Sequence, residues 1–311
     1  MKRALRSLLR LAIVLFILLN VVVAFHAYKF THFYNAGELK QSHDKSSWDK
    51  AKAMLFGINA EKKRNDIAPD STFQTVYLKT KDSLKLEAWY IAADSAAGTV
   101  ILFHGHAGNK SGTWREAEEF KKMRYNTLLV DFRAHGGSEG NTCTIGYDEA
   151  EDVKLAYDHI AAKSEKNIIL WGISMGAATI TKAVKDYQLA PKKVILEMPF
   201  GTIKDAVKGR VKMMGLPAQP ISTLLTFWGG TEHGFWAFGM KPQEYVKDIK
   251  CPVLLQWGKN DPRVSRSEED ILFSNIPNPN KKFVIYENSG HESLCKKENE
   301  KWTTEVAAFL Q

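Results

Sequence analysis

Short apolar runs rich in β-branched and aromatic residues alternate with longer amphipathic stretches over most of the chain. The runs at 99–103, 127–130, 168–171, 193–196, 253–257 and 282–286 predict strands, that at 168–171 a buried one. The stretches at 113–123, 147–162, 177–187, 267–273 and 300–310 predict helices. Such alternation implies right-handed crossovers and a mostly parallel, doubly wound α/β sheet. Ahead of it, strand patterns at 73–79 and 84–91 flank Lys81-Asp82 and predict an antiparallel hairpin. The alternation stops between 199 and 246, where Gly215, Pro217, Pro220, Gly229 and Gly230 interrupt a stretch containing Met213, Met214, Phe227, Trp228, Phe235 and Trp236. This stretch predicts a short cap over the sheet, whose aromatics and methionines either line an apolar pocket or pack the cap onto the core.

The N-terminal pattern is different. Residues 11–25 are apolar except for Asn20, and Lys2, Arg3, Arg6 and Arg10 precede them. The apolar reach, 11–30, meets the length of about 20 residues that crosses a bilayer. The basic flank predicts a single-pass signal-anchor with a cytoplasmic N-terminus and an extracytoplasmic catalytic domain. The rival is a cleaved signal peptide and a secreted domain; Ala27 has Phe25 two residues before it, which makes a poor small-x-small cleavage site. The expected organisation is an anchor over 1–30, a polar, Lys-rich juxtamembrane connector over 31–69, and a domain over 70–311 that carries the cap at 199–246.

Composition narrows the reading. The chain has 311 residues, 44 % hydrophobic and 25 % charged, enough for one large α/β domain after the anchor. Half of the net charge of +8 sits in the basic residues before the apolar run, and the rest is spread over Lys-rich helix faces. That spread predicts no nucleic-acid partner. Cys143, Cys251 and Cys295 are scattered, with neither metal-ligand spacing nor a disulfide framework, and no His/Asp/Glu cluster has metal spacing. No metal or cofactor is expected.

The candidate chemistry lies in loops after the predicted strands. Gly172-Ile173-Ser174-Met175-Gly176 falls between a strand and a helix, a pattern that forces a sharp turn and presents the serine hydroxyl at a helix N-terminus. His104-Gly105-His106-Ala107-Gly108-Asn109 follows another strand, Asp261 a third and His291 a fourth. A serine needs a base to accept its proton, which His291 can supply, and Asp261 would hold the imidazole. The backbone N–H groups of Met175 and His106 would stabilise an oxyanion. Glu197, at the end of another strand, is the rival acid. Asp131 and His104 read as structural, His135 as ordering a surface turn, and His233 stays unplaced.

Together with Asp131-Phe132-Arg133-Ala134-His135-Gly136-Gly137-Ser138 and Cys251-Pro252-Val253-Leu254, these motifs resemble the α/β-hydrolase superfamily. The nearest likeness is the serine aminopeptidase and monoglyceride-lipase-like branch, with similarity to membrane-tethered hydrolases that include protein depalmitoylases. The resemblance covers 73–310. It implies an α/β-hydrolase fold, Ser174, Asp261 and His291 as the triad, and His106 and Met175 as the oxyanion hole. His106 departs from the asparagine or small residue common at that position. The expected function is a membrane-anchored serine hydrolase that cleaves an ester, thioester or amide of a small, lipid-like or acylated substrate. The alternatives are an aminopeptidase that holds the substrate ammonium through Glu232 or Glu244, and an inactive membrane-tethered binding module.

Overall fold

The computed structural model describes residues 2–35, 47–67, 69 and 72–311. Residues 36–46 and 68 of the expected connector, and residue 70 at the expected domain start, lie outside the described residues. The chain opens with helix α1 (Lys2–Thr31), then strand β1 (Phe33–Tyr34), helix α2 (Ser47–Phe56) and strand β2 (Ala60–Glu61). β1 and β2 pair in parallel. β3 (Gln74–Lys79), β4 (Lys85–Ile91), β5 (Thr99–Phe103), α3 (Trp114–Lys122), β6 (Asn126–Val130), α4 (Glu149–Ala161), β7 (Ile168–Ile173), α5 (Met175–Tyr187) and β8 (Lys193–Glu197) follow. The region 199–246 forms α6 (Ile203–Met213), α7 (Ala218–Glu232) and α8 (Pro242–Tyr245) with short turns. The chain closes with β9 (Val253–Gly258), α9 (Arg266–Asn275), β10 (Lys281–Tyr286), α10 (Leu294–Lys297) and α11 (Asn299–Leu310).

β3 to β10 make one eight-stranded sheet in the order β10-β9-β8-β7-β5-β6-β4-β3. All neighbours are parallel except that β4 runs antiparallel to both β3 and β6. The pleat sends alternate residues to opposite faces. Ile101, Leu170, Leu196 and Leu255 therefore join the core under α4 and α5, whereas Val100, Leu102, Ile169, Trp171 and Leu254 join the core that holds Phe120 of α3 and Trp302 of α11. Burial on both faces explains why these strands read as continuous apolar runs.

α1 has two halves. Residues 2–18 are exposed on every side, whereas Val23, Ala27 and Thr31 are buried. The second half packs along α7. Asn20, the polar exception in the apolar run, has a partner there: Trp228 Nε1–H donates to its Oδ1 at 3.1 Å.

Candidate active site

Ser174 stands at the joint between β7 and α5 with φ 54° and ψ −115°, a strained backbone for a residue with a Cβ. Its flanking glycines allow the turn. A Cβ on Gly172 would come within 2.6 Å of the Gly176 carbonyl carbon, and one on Gly176 within 2.3 Å of the Phe103 carbonyl oxygen. The turn brings the serine side chain over the carboxyl ends of the parallel strands, where the loops after β5, β9 and β10 also arrive.

The structure brings three predicted side chains into one hydrogen-bonded row. The carboxylate of Asp261 can only accept, so His291 Nδ1 carries the proton of their 2.7 Å contact. That leaves Nε2 to accept from the Ser174 hydroxyl at 2.8 Å. Asp261 is itself held from below: its other oxygen accepts from the backbone N–H of Arg263 at 2.7 Å and of Val264 at 3.0 Å. The aspartate side chain is fully buried and the imidazole nearly so, which removes water as a competing partner.

The loop after β5 is fixed by two buried histidines. His104 Nδ1–H donates to the Gly105 carbonyl at 2.7 Å, and its Nε2 accepts from the Phe132 N–H at 3.2 Å. His135 Nδ1–H donates to the Arg133 carbonyl at 2.8 Å, and its Nε2 accepts from the Ala107 N–H at 3.2 Å. Both rings must be neutral to make these pairs, and burial favours that form, pushing His135 down to about 3. His135 is thus not on a surface turn; it is 2 % exposed and pins the loop that carries His106. The His106 ring stacks on Phe30 of α1 with 4.5 Å between centroids, and its Nε2–H donates to the Phe30 carbonyl at 3.2 Å. Burial, then the neighbouring His135 and Arg210, hold that imidazole well below its ordinary pKa. Among the described residues, neither the His106 nor the Met175 backbone N–H donates to a loop or turn carbonyl.

The remaining candidates lie elsewhere. Glu197 faces the opposite core: its Oε1 accepts from Trp171 Nε1–H at 2.9 Å and Trp302 Nε1–H at 2.6 Å, and burial pushes its carboxyl up to about 8. Asp131 accepts from the Lys110 ammonium at 2.5 Å and the Gly137 N–H at 2.7 Å. His233 stacks on His32 with 5.4 Å between centroids. Glu244 pairs with Lys247 at the surface, and Glu232 lines a groove beside α1 with Phe16, Asn20 and Trp228. Neither glutamate lines the cleft at Ser174.

That cleft has a volume of about 220 Å³ and is lined by Ser174, His291, His106, Phe30, Arg210 and Arg263, among others. It adjoins a larger apolar cavity of about 560 Å³ between the end of α1 and helices α6 and α7, lined by Ala27, Phe33, Ile203, Val211, Leu225 and Phe235, among others. Phe30, His106, Val207 and Arg210 belong to both spaces. The sequence reading missed Phe30, Arg210 and Arg263. Phe30 was hidden in an apolar run, and Arg210 among the lysines of α6; Arg263 stands two residues after Asp261, the one signal that could have found it.

The fold is the α/β-hydrolase fold, with Ser174 at a nucleophile-elbow turn. Residues 94–229 match the family model described as serine aminopeptidase, S33. The chain is 29 % identical over 197 residues to lysophosphatidylserine lipase ABHD12 of Macaca fascicularis, a match covering 58 % of this chain and 46 % of that protein. It therefore spans about half the length of the curated lipases it matches. It is 25 % identical over 229 residues to YqkD of Bacillus subtilis, covering 72 % of this chain and 75 % of that protein. Among solved structures it is similar to the esterase Pf2001 of Pyrococcus furiosus, with a TM-score of 0.66, 24 % identity, and coverage of 81 % of this chain and 98 % of the other, a likeness of fold. Over residues 94–229 the chain is thus similar to the serine aminopeptidase-like α/β hydrolases.

Proposed function

We propose that the protein is a membrane-anchored serine hydrolase that cleaves the ester, thioester or amide of a lipid-like or acylated substrate through an acyl-enzyme, with esters favoured. The observation that carries this is the row Asp261–His291–Ser174, at 2.7 and 2.8 Å, ending on a strained elbow serine. His291 Nε2 takes the hydroxyl proton as Ser174 Oγ attacks the substrate carbonyl. The resulting oxyanion is met by the N–H groups of Met175 and His106. Asp261 holds the ring and stabilises the imidazolium. His291 then gives the proton to the leaving oxygen, sulfur or nitrogen as the bond to the acyl carbon breaks. Water repeats the sequence, releasing the acid and restoring Ser174. The relatives named as lipases and an esterase support an ester as the scissile bond.

The apolar cavity and α1 support the lipid and membrane parts of the reading. The exposed stretch of α1, residues 2–18, is about 25 Å long at 1.5 Å per residue, short of a hydrocarbon core of about 30 Å. Met213, Met214, Leu216, Phe227 and Trp236 of the cap are exposed, apolar surface that a nearby bilayer would cover. The basic residues ahead of the apolar run favour a cytoplasmic N-terminus and an extracytoplasmic domain. Ala27 and Phe30 line the cavity, so a signal cleavage just after the apolar run would remove part of its wall; this favours a retained anchor over secretion. The aminopeptidase reading lacks support, since the side chains at the cleft include Arg210 and Arg263 and a substrate ammonium would meet like charge. A binding module would have no use for the hydrogen-bonded row.

The test is labelling of the full-length protein in membranes with a fluorophosphonate, beside a panel of 4-nitrophenyl esters and aminoacyl-nitroanilides. Labelling that disappears in Ser174→Ala, with turnover of esters and not of nitroanilides, is expected. An unlabelled folded protein, or turnover of nitroanilides alone, would overturn the reading.

A further inference from the structure

The catalytic cleft contains two arginines that the reaction sequence above does not use. Arg210 lies on α6, and Arg263 in the loop after β9; both line the space holding Ser174 and His291. The two segments are pressed together. A Cβ on Gly209 would come within 2.3 Å of the Arg263 carbonyl oxygen, so α6 delivers its next residue, Arg210, beside that loop.

Neither guanidinium pairs with a carboxylate among the described residues. Arg263 Nε is buried without a hydrogen-bond partner. Arg210 meets the Phe30 ring, 5.1 Å from its central carbon, and the neutral His106 Nδ1 at 3.5 Å. Asp261 and Glu268 are occupied. Asp261 serves His291 with one oxygen and the Arg263 and Val264 N–H groups with the other. Glu268 accepts from the Ser265 and Gly201 N–H groups. Burial, and then the charge of Arg263, lower the proton affinity of Arg210, as expected for like charges drawn together without a counter-ion.

A half-buried pair of like charges with an unspent donor is costly unless something neutralises it. Guanidinium groups suit the planar, multi-oxygen anions of phosphate and carboxylate. We propose that Arg210 and Arg263 form an anion subsite that holds an oxyanionic group on the leaving side of the substrate, next to Ser174. This rests on the hydrolase reading and deepens it. The apolar cavity takes the acyl chain, and Arg263 lines the cleft but not that cavity, which leaves it for the leaving group. The substrate class is a single-chain ester whose leaving alcohol carries a phosphate or carboxylate.

The experiment compares two esters of one acyl chain, monooleoylglycerol and monooleoylglycerol 3-phosphate, in neutral-detergent micelles, using full-length protein. The readout is the ratio of kcat/KM for the anionic over the neutral ester within each variant, so that a general loss of activity cancels. The ratio should exceed one in the parent, fall about tenfold or more in Arg263→Gln and in Arg210→Gln, and be partly kept in Arg263→Lys. Added salt should lower it in the parent and not in the double glutamine variant. Inorganic phosphate should inhibit turnover of the neutral ester by the parent more strongly than by that variant. A ratio unmoved by all substitutions overturns the subsite while leaving the hydrolase intact. So does phosphate inhibition without any anionic preference, which would mark a site for free anions. Turnover of neither ester by protein that a fluorophosphonate labels at Ser174 would overturn the subsite alone; absence of labelling would remove the hydrolase reading beneath it.

Discussion

Two walls face each other across the Ser174 cleft, and they are built on opposite principles. The sheet side holds Ser174, Asp261, His291 and the loop after β5, each with short, directed hydrogen bonds to buried partners. The other side, formed by the end of α1 with α6 and α7, is mainly apolar and includes Arg210, a cation with no carboxylate partner among the described residues. A wall of over-determined polar contacts fixes geometry, which bond-making requires. A wall of apolar side chains and unspent charge fixes what can be bound. The two meet at His106, whose backbone belongs to the first wall and whose ring rests on Phe30 of the second.

The largest effect should come from breaking the first wall. Asp261→Asn is expected to lower kcat about 10⁴-fold, and Glu197→Gln to leave it within a few-fold, because Glu197 bonds to two tryptophans and not to His291. Steady-state rates on one ester check both, and the reverse ranking would reassign the acid. Next comes the junction. Phe30→Ala removes the stack under His106, and a misplaced loop should cost up to about 100-fold in kcat/KM for a short soluble ester. An unchanged rate would reduce α1 to a tether.

The second wall should respond in selectivity. Ala27 is buried at the cavity, so Ala27→Trp should fill it and lower the ratio of long-chain to short-chain kcat/KM about tenfold. A chain-length profile that does not move would place the acyl group elsewhere.

The smallest effect separates the far core from both walls. Burial raises Glu197 to about 8 from an ordinary 4.5. Between those values the native chain holds a proton that the unfolded chain has released, so stability falls as pH rises through that window. In Glu197→Gln that decline should shrink, as read from denaturant midpoints at about pH 5 and about pH 8.5. An equal decline in both proteins would show that Glu197 titrates normally.

The first wall was legible in the sequence because its constraints are local. Strand runs buried on both faces announce themselves, and the elbow needs glycine where a Cβ would strike Phe103 or Gly176. The loop carrying Asp261 follows such a strand directly, and that carrying His291 follows the edge strand β10. The second wall was legible only in part: Met213, Met214 and Phe235 were pocket candidates and line the cavity, whereas the share of α1 and of Arg210 was hidden, for a physical reason. Val23, Ala27 and Phe30 are apolar whether they face lipid or protein, so composition cannot tell an anchor from a cavity wall. Asn20 looked like a blemish in a membrane span until Trp228 supplied its partner. Arg210 sits among Lys204, Lys208 and Lys212 and reads as one more solvated charge. His135 was misplaced because a histidine beside glycines suits a turn, and only the fold shows its Nε2 accepting from Ala107.

The most direct test of the sheet wall as the reacting wall is to trap the acyl group. Full-length protein mixed with an excess of a long-chain 4-nitrophenyl ester, acid-quenched within the burst and digested, would be mapped by mass spectrometry. The acyl mass is expected on the peptide containing Ser174, and absent in Ser174→Ala. An acyl group on any other residue, or ester turnover that persists in Ser174→Ala, would contradict the account.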